Sequence, residues 1–169
     1  GKHTVLATYP HNDQNELGIE YRAPTDKPTI VNITNHGYWN LAGEGSGQGA
    51  MGHVLTIPAQ AYTPVDATLI PTGVFQPVAG TVFDFTTPHA VGERVRDASD
   101  PQIVIGKGYD HNFVVAKTVS KALRQLARVE EPVSGRGFEL WSNQPGVQFY
   151  SGNFLVGSLV GKAGKLYRQ

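Results

Sequence analysis

The sequence predicts an all-β protein, an antiparallel β-sandwich, and three observations carry that expectation. Its 20 glycines and 11 prolines recur every few residues and divide the chain into short pieces. The pieces between them are rich in Val, Ile, Thr, Phe and Tyr, the residues that suit a pleated surface. Several also alternate apolar and polar side chains with the period of two expected of a half-buried strand.

Strands are expected near residues 4–9, 16–23, 29–34, 53–57, 111–117, 122–131, 137–142 and 147–151. In "NELGIEYRA", Leu17, Ile19 and Tyr21 alternate against Glu16, Gly18, Glu20 and Arg22, which predicts a half-buried strand. "KALRQLARVEE" spaces Leu123, Leu126 and Val129 by three and fits a helix face as well as a strand. It is followed by "EPVSGRGFEL", where Pro and Gly separate two β-type runs as in a hairpin, and this favours the strand. "GEGSGQG", residues 43–49, reads as a flexible loop. Residues 58–110 read as largely irregular, stiffened by Pro58, Pro64, Pro71, Pro77, Pro88 and Pro101.

At 169 residues the chain is long enough for one sizeable core and too short for two comfortable domains, so residues 1–169 are expected to form a single domain. Fourteen basic and fourteen acidic residues are well mixed, with no basic stripe for a nucleic acid. No run of 18 apolar residues suggests a membrane span. Without cysteine there is no disulfide and no thiolate chemistry. A cytoplasmic location is expected, with a periplasmic or secreted one left open.

"TNHGYWNL", residues 34–41, crowds polar and aromatic groups together in a chain that is only 9% aromatic. If that stretch is extended, His36 and Tyr38 share one face and Trp39 takes the other, toward the core. In "PGVQFYSGN", Val147 and Phe149 share the apolar face and Gln148 and Tyr150 the opposite one. In "GYDHNFVV", Asp110 and His111 must diverge. The three segments can thus offer a polar surface of His36, Tyr38, Asp110, Gln148 and Tyr150. Such a set suits a sugar: an aromatic ring covers the C–H face of a pyranose, a carboxylate and a carboxamide meet its hydroxyls, and a histidine moves protons near neutral pH. Each residue also has a plainer role open to it, as a strand histidine, a turn aspartate or a surface glutamine. His3, His11, His53 and His89 look like solvated loop residues, and Glu16, Glu20, Glu130, Glu131 and Glu139 read as solvent-facing. No nucleophile elbow, phosphate loop or metal-ligand spacing is present, so no metal is expected.

Four blocks, "VNITNHGYWNLAG", "YTPVDATLIPTG", "GYDHNFVV" and "NQPGVQFYSGNFL", resemble in order and spacing the aldose 1-epimerase (galactose mutarotase) family. The resemblance implies a partial β-sandwich of the mutarotase-like supersandwich type and a cofactor-free isomerase. Such an enzyme interconverts the α and β anomers of hexoses such as galactose and glucose. It puts the general acid on His36 and sugar contacts on His36, Tyr38, Asp110 and Gln148, and leaves out Tyr150. It also places a second histidine upstream and the general-base glutamate downstream, in segments this sequence does not contain. The chain is therefore expected to be an interior piece, feeble by itself, whose partners are a monosaccharide and either its complementary segments or a second copy. Two other readings share the same residues. One is a carbohydrate-binding module that needs no base. The other is a relative acting on hexose phosphates, for which Arg94, Arg96, Arg124, Arg128 and Arg136 look too dispersed.

Overall fold

The computed structural model describes residues 1–169, which divide into two compact units, Gly1–Tyr38 and Trp39–Gln169.

The first unit is a two-stranded antiparallel ribbon of β1 (Leu6–Thr8) and β2 (Glu20–Arg22), with Ala7 opposite Tyr21. Asn12 shapes the turn between them, its side-chain oxygen accepting from the backbone N–H groups of Gln14 and Glu16 at 3.1 Å each. Both strands are shorter than their spans in the sequence suggest, and on the apolar side of "NELGIEYRA" only Ile19 is half-buried while Leu17 and Tyr21 are exposed. The expected strand at 29–34 does not form; Ile30 there is 97% exposed. "TIVNI" has the composition of a strand but no neighbour to pair with, and β-propensity is realised only against such a neighbour.

The second unit holds two four-stranded antiparallel sheets. One has the order β10 (Gly146–Tyr150), β7 (Asp110–Val114), β4 (Ala61–Thr63), β5 (Gln76–Pro77). The other has the order β6 (His89–Ala90), β3 (Val54–Thr56), β8 (Arg124–Glu131), β9 (Arg136–Ser142). Two short helices, α1 (Val91–Arg94) and α2 (Pro101–Gly106), precede β7, and a hairpin of β11 (Val156–Val160) and β12 (Leu166–Arg168) ends the chain. Tyr62, Phe113, Val147 and Phe149 from the first sheet share one core with Leu55, Ala127 and Val129 from the second, which is the construction of a sandwich.

Residues 124–131 are strand, and the spacing of three has a structural cause. Gln125 pairs with Trp141 but Ala127 with Leu140, so Leu126 is an extra residue in a bulge. The bulge shifts the alternation by one, and both Leu126 and Ala127 are buried.

Residues 58–110 are largely irregular, as expected, but they are not a peripheral loop. This segment forms β4, β5, β6, α1 and α2 and supplies Ala59, Tyr62, Val78, Phe83, Phe85, Val91, Val95, Ile103 and Tyr109 to the core. Its strands are two or three residues long, and Pro77 sits on edge strand β5, where a missing N–H breaks no ladder. Phe83, fully buried, is the hub. It stacks on Tyr62 at 4.0 Å between ring centres and meets Tyr109 edge-on at 5.5 Å.

Candidate functional site

Asp110 opens β7, and the turn before it is tightly specified. Asp100 caps α2 by accepting from the N–H groups of Gln102 (2.8 Å) and Ile103 (3.4 Å), and Pro101 begins the helix. Lys107 ends it in the left-handed region at φ 56°, and Gly108 follows at φ 134°. Any side chain at 108 would run into Asn153 and Ser151. Buried Asn153 holds the turn shut, its Nδ2 donating to the carbonyls of Gly106 (2.7 Å) and Tyr109 (2.9 Å). Tyr109 is itself buried, with its hydroxyl donating to Val82 O at 2.9 Å, and burial pushes that phenol up to about 12.

From this anchored start the strand alternates as the sequence requires. His111 points inward with no exposure, and Asp110 lies on the other face, half-buried. On the neighbouring strand Val147 and Phe149 pack on the core while Gln148 faces solvent. Gln148 is paired with Asn112, and Tyr150 with Asp110. The glutamine therefore reaches Asp110 along the diagonal, its Nε2 donating to Oδ1 at 2.9 Å. No protein hydrogen bond engages the other carboxylate oxygen, Oδ2, which can accept from a hydroxyl. Tyr150 accepts from the Phe154 N–H at 2.9 Å.

In the first unit, His36 and Tyr38 lie in an exposed segment with no strand, and their rings stack at 5.2 Å and 21°. The shared side expected of residues i and i+2 is present without the strand. The structure thus brings His36 to Tyr38 and Asp110 to Gln148, each pair within one unit. Trp39 corrects the sequence reading. It is 56% exposed and leans on Phe138 at 5.2 Å, because its neighbour is the outer side of β9 and not the core.

Two more residues read as solvated are buried. His53 is enclosed before β3, and Glu131 at the end of β8 accepts from the N–H groups of Val133 (2.9 Å) and Ser134 (2.6 Å) in the hairpin turn. Those bonds hold the Glu131 carboxyl below its usual range, while burial holds His53 below the usual imidazole range. His89 sits beside Glu93, its Nδ1 3.1 Å from the carboxylate. No group of three or more His, Cys, Asp or Glu is placed to hold a metal ion, and no helix is long and apolar enough to cross a membrane.

Sequence reasoning set His111 opposite Asp110 but missed what it does. Its Nδ1 accepts from the Asp110 N–H at 3.1 Å, and its Nε2 lies 3.2 Å from Gln102 Oε1. Burial lowers the ring to about 4. An unfolded histidine takes up its proton near pH 6.5, so between pH 6.5 and 4 the unfolded chain binds the proton and the folded chain does not. Stability is expected to fall by about 3 kcal/mol as pH drops through that window. His53 acts in the same direction. The carboxylates held low, among them Asp66 and Asp84, add their own loss only below about pH 4. Denaturant midpoints at pH 7 and 4.5 check this, and His111→Phe should remove most of the slope.

A family model described as aldose 1-epimerase matches residues 1–169, and the chain belongs to that family. It is 48% identical over 167 residues to galactose mutarotase from Mus musculus, covering 99% of this chain and 46% of that protein. It is 46% identical over 167 residues to the Homo sapiens galactose mutarotase, with the same coverage. Over 151 residues it is 40% identical to aldose 1-epimerase from Escherichia coli K12, covering 89% of this chain and 42% of the other. The GalM/aldose epimerase homologue from C. elegans superposes with a TM-score of 0.78 at 28% identity, over 98% of this chain and 47% of that one. Galactose 1-epimerase from Lactobacillus acidophilus gives 0.72 at 27% identity, over 98% and 47%. The chain spans about half the length of the relatives it matches.

Proposed function

We propose that this chain belongs to an aldose 1-epimerase that interconverts the α and β anomers of a hexose such as galactose or glucose. The observation that carries the reading is the Asp110–Gln148 pair, a carboxylate held by a carboxamide with one oxygen left to accept from a hydroxyl, in a chain of this family. In the proposed mechanism a base takes the proton from the anomeric hydroxyl while His36 gives one to the ring oxygen. The C1–O5 bond breaks and C1 becomes an aldehyde. The C1–C2 bond turns, O5 attacks the other face, and both protons return. Tyr38 covers the sugar ring, and Asp110 and Gln148 hold its hydroxyls. Residues 1–169, all matched by the family model, are proposed to belong to one sandwich domain.

The arrangement of arginines weighs against a hexose-phosphate substrate. Arg94 donates to Asp84 O (2.8 Å), Arg96 to Lys107 O (3.0 Å), Arg128 to Glu139 (3.1 Å) and Arg136 to Leu41 O (3.1 Å), so four of the five are already engaged. Polarimetry on freshly dissolved α-galactose with the full-length protein tests the proposal. Faster relaxation with the protein than without supports the epimerase. Galactose binding with no change in relaxation would favour a carbohydrate-binding module instead.

A further inference from the structure

His111 lies outside the set assigned to the sugar, yet its ring makes two hydrogen bonds of opposite sense. Nδ1 receives the Asp110 N–H at 3.1 Å, so Nδ1 carries a lone pair and the ring's one proton sits on Nε2, facing Gln102 Oε1 at 3.2 Å. The glutamine amide cannot be turned to change this. Its Oε1 also accepts from the Val65 N–H at 2.7 Å, and its Nε2 donates to Val65 O at 3.0 Å. Phe83 at 4.7 Å and Tyr62 at 5.7 Å grip the ring edge-on. A continuous, partly buried chain thus runs from Val65 through Gln102 and His111 to the backbone of Asp110, whose carboxylate in turn accepts from Gln148.

We propose that His111 is a positioning residue for the Asp110 carboxylate: it accepts the Asp110 N–H from the buried side of β7 and thereby fixes the direction in which that carboxylate leaves the strand. This rests on the reading of Asp110 as a sugar contact. A ring that cannot move holds the Asp110 backbone, and the backbone sets the Cα–Cβ direction. Because burial keeps the ring from protonating until about pH 4, the acceptor persists through the neutral range.

Asparagine and glutamine separate the two nitrogens. In His111→Asn the amide oxygen falls near the place of Nδ1, and in His111→Gln the amide reaches that of Nε2. Both lose the ring, so they share its packing damage. The readouts are KM and kcat for galactose and, in the sugar-free protein, the ¹⁵N–¹H signals of the Gln148 side-chain amide. His111→Gln is expected to raise KM about tenfold, with a smaller change in kcat, and to move the Gln148 signals. His111→Asn should stay within about threefold of the unsubstituted KM, with Gln148 unmoved. Equal KM values and equal Gln148 signals in the two variants would overturn the proposal. So would ring ¹⁵N shifts in the unsubstituted protein that place the proton on Nδ1, a measurement that needs neither variant to fold. If Gln148 separates the variants while no form acts on galactose, the sugar reading falls and the positioning role stands.

Discussion

Replacing His36 with alanine in the full-length enzyme is expected to slow anomer interconversion by roughly 10²–10⁴-fold, the usual worth of a positioned general acid. In the proposed mechanism the loss should appear mainly in kcat, because the ground-state sugar contacts are assigned to Tyr38, Asp110 and Gln148. His36 is exposed and its ring meets only that of Tyr38, so its removal opens no cavity, and the variant should unfold at the same denaturant concentration as the parent. That separation is the strength of the experiment. A variant that relaxes α-galactose as fast as the parent would remove His36 from the mechanism. His89→Ala, which removes contacts with Thr87, Phe85 and Glu93, provides the matched control and should leave the rate unchanged.

The largest effect on stability is expected from Phe83→Ala. Phe83 is fully buried and touches the rings of Tyr62, Tyr109, His111 and Phe113. Removing it deletes the centre of that cluster and leaves a cavity whose walls are rings too stiff to collapse. A loss of about 3–5 kcal/mol is expected, read as a lower midpoint in guanidinium chloride. A loss below about 1 kcal/mol would mean that the core repacks around the gap and that Phe83 is not its hub.

How far the sequence revealed the molecule depended on whether a local rule governed each position. Adjacent residues of a strand must diverge, and this alone put Asp110 and His111 on opposite sides of β7 and set Gln148 against Val147 and Phe149. Strands β7 and β10 follow that rule, β8 breaks it at its bulge, and all the strands from β7 to β10 lie where their composition suggests, within a few residues. Residues 58–110 obey none of them. Their strands are too short for a period to show, and their aromatic side chains find one another across long sequence separations. The strand expected at 29–34 failed for the converse reason, since its composition was right but pairing is a property of two segments. His53 and Glu131 were misread because nothing near them in sequence announces burial. The shared side of Asp110 and Gln148 could be read from alternation, while the support behind Asp110 could not. Gln102 lies nine residues from His111, and Val65 lies 37 from Gln102.

The placement of the indoles decides which spectroscopic signal can follow unfolding. Trp39 is 56% exposed and Trp141 51% exposed, so the native emission of both already comes from rings in contact with water. Denaturation has little further red shift to produce, and a melt followed by fluorescence would look shallow however cooperative the transition. The immobile phenols of Tyr62 and Tyr109 sit instead in an asymmetric cage of rings, and their near-ultraviolet circular dichroism should vanish together with the packing.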